Sequence, residues 1–172
     1  MKPFLVGFEA IISPNANILI LGSMPSVASI NLQQYYGHSR NTFWPIMNAL
    51  LNGNPDQSYL SRKNCLMSNN IAVWDVLKYC HRTGSLDANI NITTAKINDF
   101  NHLFHSHPNI KQVFFNGKLA EKLYKQHVLP SLDHQYTYLT YCYLPSTSPA
   151  HAALKLEQKI EAWKAIKQSM VK

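Results

Sequence analysis

Asn17-Ile18-Leu19-Ile20-Leu21-Gly22 is the stretch that decides the fold. All six positions lack any charge, the apolar run is unbroken by alternation, and a glycine ends it. A strand of that kind is buried on both faces and belongs in the middle of a parallel sheet. Working outward, Ile71-Ala72-Val73-Trp74 and Val113-Phe114-Phe115 repeat the pattern, and Tyr138 to Leu144 supplies a fourth strand. Helices are expected between them. Phe43, Ile46, Met47, Leu50 and Leu51 recur at helical spacing and stop at Asn52-Gly53. Thr94 is read as the cap of a helix burying Ile97, Phe100, Leu103 and Phe104 before Pro108. Gly117 opens a helix through Leu119, Leu123 and Val128, and a last helix carries Leu154, Ile160, Trp163, Ile166 and Met170 on one face. Strands alternating with helices give the fold class α/β: a three-layer α/β/α arrangement around a central, mostly parallel four-stranded sheet.

The chain of 172 residues, 46% hydrophobic and without repeats or long linkers, suits one domain spanning 1–172. Lys plus Arg exceed Asp plus Glu by 16 to 9, so a polyanionic partner is electrostatically favoured. Cys65, Cys80 and Cys142 are far apart and odd in number, which suggests neither a disulfide framework nor a zinc site and fits a reducing cytoplasm. Met1 to Ile12 lacks the features of a secretion signal, and no stretch reaches the ~20 apolar residues of a membrane span. His102, His105 and His107 read as surface histidines with no acidic partner to complete a metal site. No metal and no cofactor are expected.

Open α/β sheets bind ligands beyond the carboxyl ends of their strands. That rule selects the loops Gly22 to Asn41, Asp75 to Ser85, Asn116 to Lys118, and Leu144 to Ala152. In the first, Gly22-Ser23-Met24-Pro25-Ser26 forms a tight turn able to hold backbone N–H groups toward an oxygen or phosphate. It lacks the Gly-Lys-Ser/Thr ending of a P-loop and the GxGxxG of a dinucleotide site, so a nucleotide cofactor is not expected. Tyr35 and Tyr36 sit in a turn-prone stretch where rings can stack on a base or pack against the sheet edge. Asn41 is open to two roles, in a site or as the cap of the following helix. In the fourth loop two prolines and three hydroxyls suit a phosphodiester, or a turn in which Ser148 caps a helix starting at Pro149. Asp75 is the one acid in these loops, which weighs against chemistry needing two converging carboxylates.

Five segments then match a known pattern in order: Gly22-Ser23-Met24-Pro25-Ser26, Tyr35 through Trp44, Trp74-Asp75-Val76-Leu77, Phe115-Asn116-Gly117, and Leu144 through His151. Together they resemble the deoxyinosine (hypoxanthine) DNA glycosylases of the uracil-DNA glycosylase superfamily. The resemblance implies a hydrolase that flips a deaminated base out of DNA and cuts its N-glycosidic bond. Hypoxanthine is the favoured base and uracil the rival; a catalytically silent nucleic-acid-binding module of the same fold is the other reading. It further implies Asn41 as the residue that places water, replacing the motif acid whose position is Met24. Tyr36 would stack on the base and Asp75 read it, with Ser23, Met24 and Asn116 around them. Ser146 would hold a phosphate, Thr147 and Ser148 would fill the vacated stack, and Pro25, Ser26, His38 and Arg40 would meet the DNA backbone. Leu144 stands where many relatives carry a hydrogen-bonding residue, so help for the departing base must come from elsewhere. No lysine falls at a motif position, so lyase chemistry is not expected. A monomer is expected.

Overall fold

The computed structural model describes residues 4–170; expectations touching 1–3 and 171–172 lie outside the described residues. Four parallel strands form the central sheet: β2 (Ile18–Gly22), β3 (Ile71–Asp75), β6 (Gln112–Asn116) and β7 (Thr140–Leu144), in the order β3-β2-β6-β7. Every residue of β2 and β3 is buried, which explains why both read as unbroken apolar runs. The register pairs Gly22 with Asp75, and Asn116 with Leu144, so these four residues stand together at the carboxyl edge.

Helices cover both faces. On one, α2 (Phe43–Leu51) packs against α6 (Leu156–Ser169), with Phe43 and Trp163 meeting edge to face at 5.9 Å. On the other, α4 (Phe100–Ser106) and α5 (Lys118–Leu123), which continues as a π-helical turn over Tyr124–Val128, bring Phe100 and Tyr124 against Trp74 and Phe115. The remaining helices are α1 (Val27–Leu32), inside the first site loop, and α3 (Tyr59–Ser68).

A second sheet departs from the sequence expectation. β1 (Phe4–Val6), β4 (Leu77–Arg82) and β5 (Ile90–Ile97) form an antiparallel sheet in the order β1-β4-β5. The segment read as a loop from Asp75 to Ser85 is therefore largely strand, and Thr94 lies in β5 instead of capping a helix. The cap of α4 is Asp99, whose carboxylate accepts from the His102 N–H at 2.9 Å. At the chain's other end α6 starts at Leu156, so Leu154 precedes it and Pro149 opens no helix. Ser148 instead closes a turn, accepting from the Ala150 N–H at 3.2 Å.

Candidate active site

The carboxyl edge of the sheet opens into a cavity of about 350 Å³ lined from all the expected loops. That volume falls in the range of ligand sites. Gly22 shapes its floor: a Cβ there would lie 2.5 Å from Asp75 Oδ1 and 3.1 Å from the Tyr36 hydroxyl. Only a residue without a side chain lets these two groups converge.

Tyr36 and Asn41 both line this cavity, and both also border a neighbouring hollow with His38 and Trp44. Tyr36 adopts a left-handed backbone, φ 54°, and its ring stacks on Phe43 at 4.0 Å and 22°. A non-glycine residue pays roughly 1–2 kcal/mol for that conformation. The turn that imposes it is tied down on both sides, by Trp44 Nε1 donating to the Tyr35 carbonyl and by the Gly37 N–H donating to Ser29. Asn41 caps nothing in the strict sense, since the cap position is Thr42; its Oδ1 accepts from the Phe43 N–H at 3.0 Å. That bond fixes the amide and leaves a second lone pair on the oxygen.

Two walls of the cavity differ in chemistry. On one, the Asn116 Nδ2 donates to Thr147 Oγ1 and the Thr147 N–H donates to Asn116 Oδ1, each at 2.9 Å. The Thr147 carbonyl accepts from both the N–H and the hydroxyl of Thr42. Thr147 is fully buried, so it cannot fill a gap in a base stack; it is a strut between β6 and α2. Ser146 sits against Gly117, φ 98°, where a Cβ would meet its side chain at 3.0 Å, and its Oγ accepts from the Ser148 N–H. Asn116 is similarly committed, which leaves little of its amide to steady a departing base.

On the opposite wall Asp75 is buried and Oδ2 has no hydrogen-bond partner; the Tyr36 hydroxyl and Arg82 Nε share that condition. Burial first, then the charge of Asp87, pushes the Asp75 carboxyl up to about 7, against the pull of Arg82. Burial and the Asp75 charge also raise the Tyr36 phenol. The Asn116 amide, whose Nδ2 carries a second N–H beside the one given to Thr147, opposes that rise.

Sequence reading missed two of these groups. Asp87 lies just past Ser85 and so outside the selected loop, yet it lines the cavity and accepts from Ser23 Oγ at 2.8 Å. The expectation of a single acid is corrected: two carboxyls face the cavity. Arg82, an arginine 1% exposed, donates to the Pro25 carbonyl and carries the compensating charge. Pro25 is itself buried and lines the cavity. Ser26 caps α1 through the Ser29 N–H at 3.1 Å while also lining the cavity, and Met24 lines it with a buried thioether. His38 Nδ1 accepts from the Arg40 N–H, and the exposed Arg40 lies outside the cavity walls.

A parallel α/β sheet with a cavity at its carboxyl edge defines the class of α/β proteins that take a ligand beyond their strand ends. More narrowly, the chain belongs to the Uracil DNA glycosylase superfamily, whose profile matches residues 10–167. Its relatives include a Methanosarcina acetivorans protein named Hypoxanthine DNA glycosylase, 39% identical over 134 residues, covering 73% of this chain and 84% of the relative. A Methanosarcina barkeri protein of the same name is 43% identical over 114 residues, covering 65% and 70%. The solution structure of a candidate uracil DNA glycosylase from Methanosarcina acetivorans superposes with a TM-score of 0.81 at 32% identity, over 99% of this chain and 100% of that one.

Proposed function

We propose that this chain is a monofunctional DNA glycosylase that hydrolyses the N-glycosidic bond of a deaminated base, with hypoxanthine in deoxyinosine as the preferred target. The carrying observation is the convergence of Tyr36, Asn41 and Asp75 on one cavity in which buried polar atoms lack partners. An unsatisfied buried donor or acceptor costs about 1–3 kcal/mol. A ligand with complementary polar edges removes that cost, and a flipped purine has such edges. The relatives named Hypoxanthine DNA glycosylase support the same substrate.

In this reading the base slides over Tyr36, whose other face is already occupied by Phe43. Asn41, its amide held by the Phe43 N–H, presents its free lone pair to water. Placement of that kind suffices for a dissociative path, because a cationic C1′ needs a nearby nucleophile more than a strong base. Ser146, Ser148 and Lys118 on the rim offer donors to phosphates of the flanking strand. The net charge of +7 draws DNA in. The protein acts as one domain and a monomer.

The test is excision from duplexes carrying one deoxyinosine or one deoxyuridine, read as strand cleavage after alkali. Cleavage at deoxyinosine with slower cleavage at deoxyuridine is the expected result. The reverse order makes uracil the substrate, as the name of the solved relative suggests for that protein. No cleavage of either, with DNA still bound, removes the enzymatic reading.

A further inference from the structure

One carboxyl of the cavity ends a strand of the parallel sheet, the other lies between β4 and β5 of the antiparallel one, and only Asp87 has an oxygen with a hydrogen-bond partner. Asp87, just after β4, is fixed by Ser23 Oγ at 2.8 Å. Asp75, at the end of β3, has a buried oxygen without a partner and stands against Gly22 on the cavity floor. The hydrogen-bonding capacity of Asp75 is thus held in reserve for whatever enters. On the other wall the Leu144 side chain cannot hydrogen-bond, and Asn116 has already given one N–H and one lone pair to Thr147.

We propose that Asp75 hands a proton to the departing purine, and that Asp87, held by Ser23, is the positioning residue that keeps this proton on Asp75 until the bond breaks. The inference rests on the glycosylase reading above. As the C1′–N9 bond breaks, its electron pair goes to the base and the Asp75 proton moves to a ring nitrogen, so hypoxanthine leaves neutral. The water placed by Asn41 adds to the C1′ cation. Its surplus proton returns to the Asp75 carboxylate through solvent once the base has gone, and every atom and charge is restored.

The surroundings agree with a protonated group. Asp87 faces Asp75 from the segment after β4, Arg82 from β4 itself, and Tyr35 and Tyr36 from the first loop; Lys118 and His151 stand on the rim. Arg82 alone would hold Asp75 ionised, but burial and Asp87 outweigh it. A carboxyl that titrates near neutrality is matched to acid catalysis at neutral pH. The Asp87 carboxyl is itself pushed up by desolvation, with Ser23 and Arg82 pulling the other way.

The experiment is single-turnover excision of deoxyinosine between about pH 5.5 and 9 by the wild type, Asp87→Asn, Asp87→Glu and Asp75→Asn. Wild-type rates should fall as pH rises through about 7, approaching tenfold per unit. Asp87→Asn should match the wild type at about pH 5.5 and fall severalfold below it at about pH 7.5, because its falling limb moves to lower pH. Asp87→Glu should restore the wild-type limb, and Asp75→Asn should be slow and flat. Ionisation of deoxyinosine itself is common to all four proteins and drops out of the comparison. Carboxyl-carbon NMR titration of the free wild-type protein checks the same proton without any variant. Rates that rise with pH, or limbs that coincide in the wild type and Asp87→Asn, overturn the proton assignment alone. An enzyme inactive on deoxyinosine at every pH overturns the glycosylase reading instead.

Discussion

The wall built from Asn116 and Thr147, backed by Thr42, and the wall built from Asp75 and Tyr36, backed by Arg82, enclose one cavity but obey opposite rules. In the first, each polar side-chain atom has found a partner inside the protein. In the second, three buried polar atoms have none. A satisfied network rigidifies, whereas an unsatisfied one stores free energy that a complementary ligand releases. The contrast separates framework from chemistry among residues that sequence motifs had grouped together.

Substitutions can break this contrast in graded ways. The largest effect is expected from Asn41→Ala, which should slow single-turnover deoxyinosine excision by about 10²–10³-fold while binding of the lesion duplex stays within about threefold. Loss of binding in parallel with rate would make Asn41 a structural residue. Next comes Asp75→Asn, with a loss of about 10²-fold near neutral pH and a gain in stability. The sign follows from linkage. Folding raises the Asp75 carboxyl from 3.8 to about 7, so its favourable contribution is complete below 3.8 and is lost as pH rises to about 7. At about pH 8 the variant should therefore melt higher than the wild type, with the gap closing toward about pH 4, since Arg82 keeps Asp87 as a partner. A variant that melts lower at about pH 8 contradicts the assignment of Asp75 to the unsatisfied wall.

On the satisfied wall the pattern should invert. Asn116→Ala strands Thr147 and should cost about 1–3 kcal/mol, a fall in Tm of several degrees, with excision reduced less than about tenfold at a temperature where the fold is intact. A hundredfold rate loss without destabilisation would place Asn116 among the chemical groups. The smallest effect is assigned to Tyr36→Phe, which keeps the stack on Phe43 and removes an unpartnered hydroxyl. Stability should hold within about 0.5 kcal/mol or rise, and excision should drop only a few-fold.

The parallel sheet was legible in the sequence because a strand buried on both faces must be apolar throughout, and β2 and β3 are. The antiparallel sheet was not. Leu77-Lys78-Tyr79-Cys80-His81-Arg82 shows no clean alternation, since register shifts between Leu77 and Tyr79 and between Tyr79 and His81 interrupt the period of two. Half of β5 is polar and its centre is exposed, so it offers no burial pattern either. The same blind spot hid half of the charged wall. Arg82 is of a residue type almost never buried without a partner, and Asp87 was separated from the site by a loop boundary that the strand moved. Asn41, Tyr36 and Asp75 were reached through ordered motifs, which record geometry that composition cannot. Thr147 shows the limit of that record: its motif position was read as filling the vacated stack, and a buried hydrogen-bond strut occupies it.

The indoles give the molecule an optical gauge of its own active site. Trp44 Nε1 holds the carbonyl of Tyr35, and Trp163 Nε1 holds that of Pro145 at 3.0 Å from inside α6. Each ring is moored to one of the two segments that line the cavity. Loosening either mooring would change the polarity around a buried fluorophore, so ultraviolet emission reports on both segments with no dye attached.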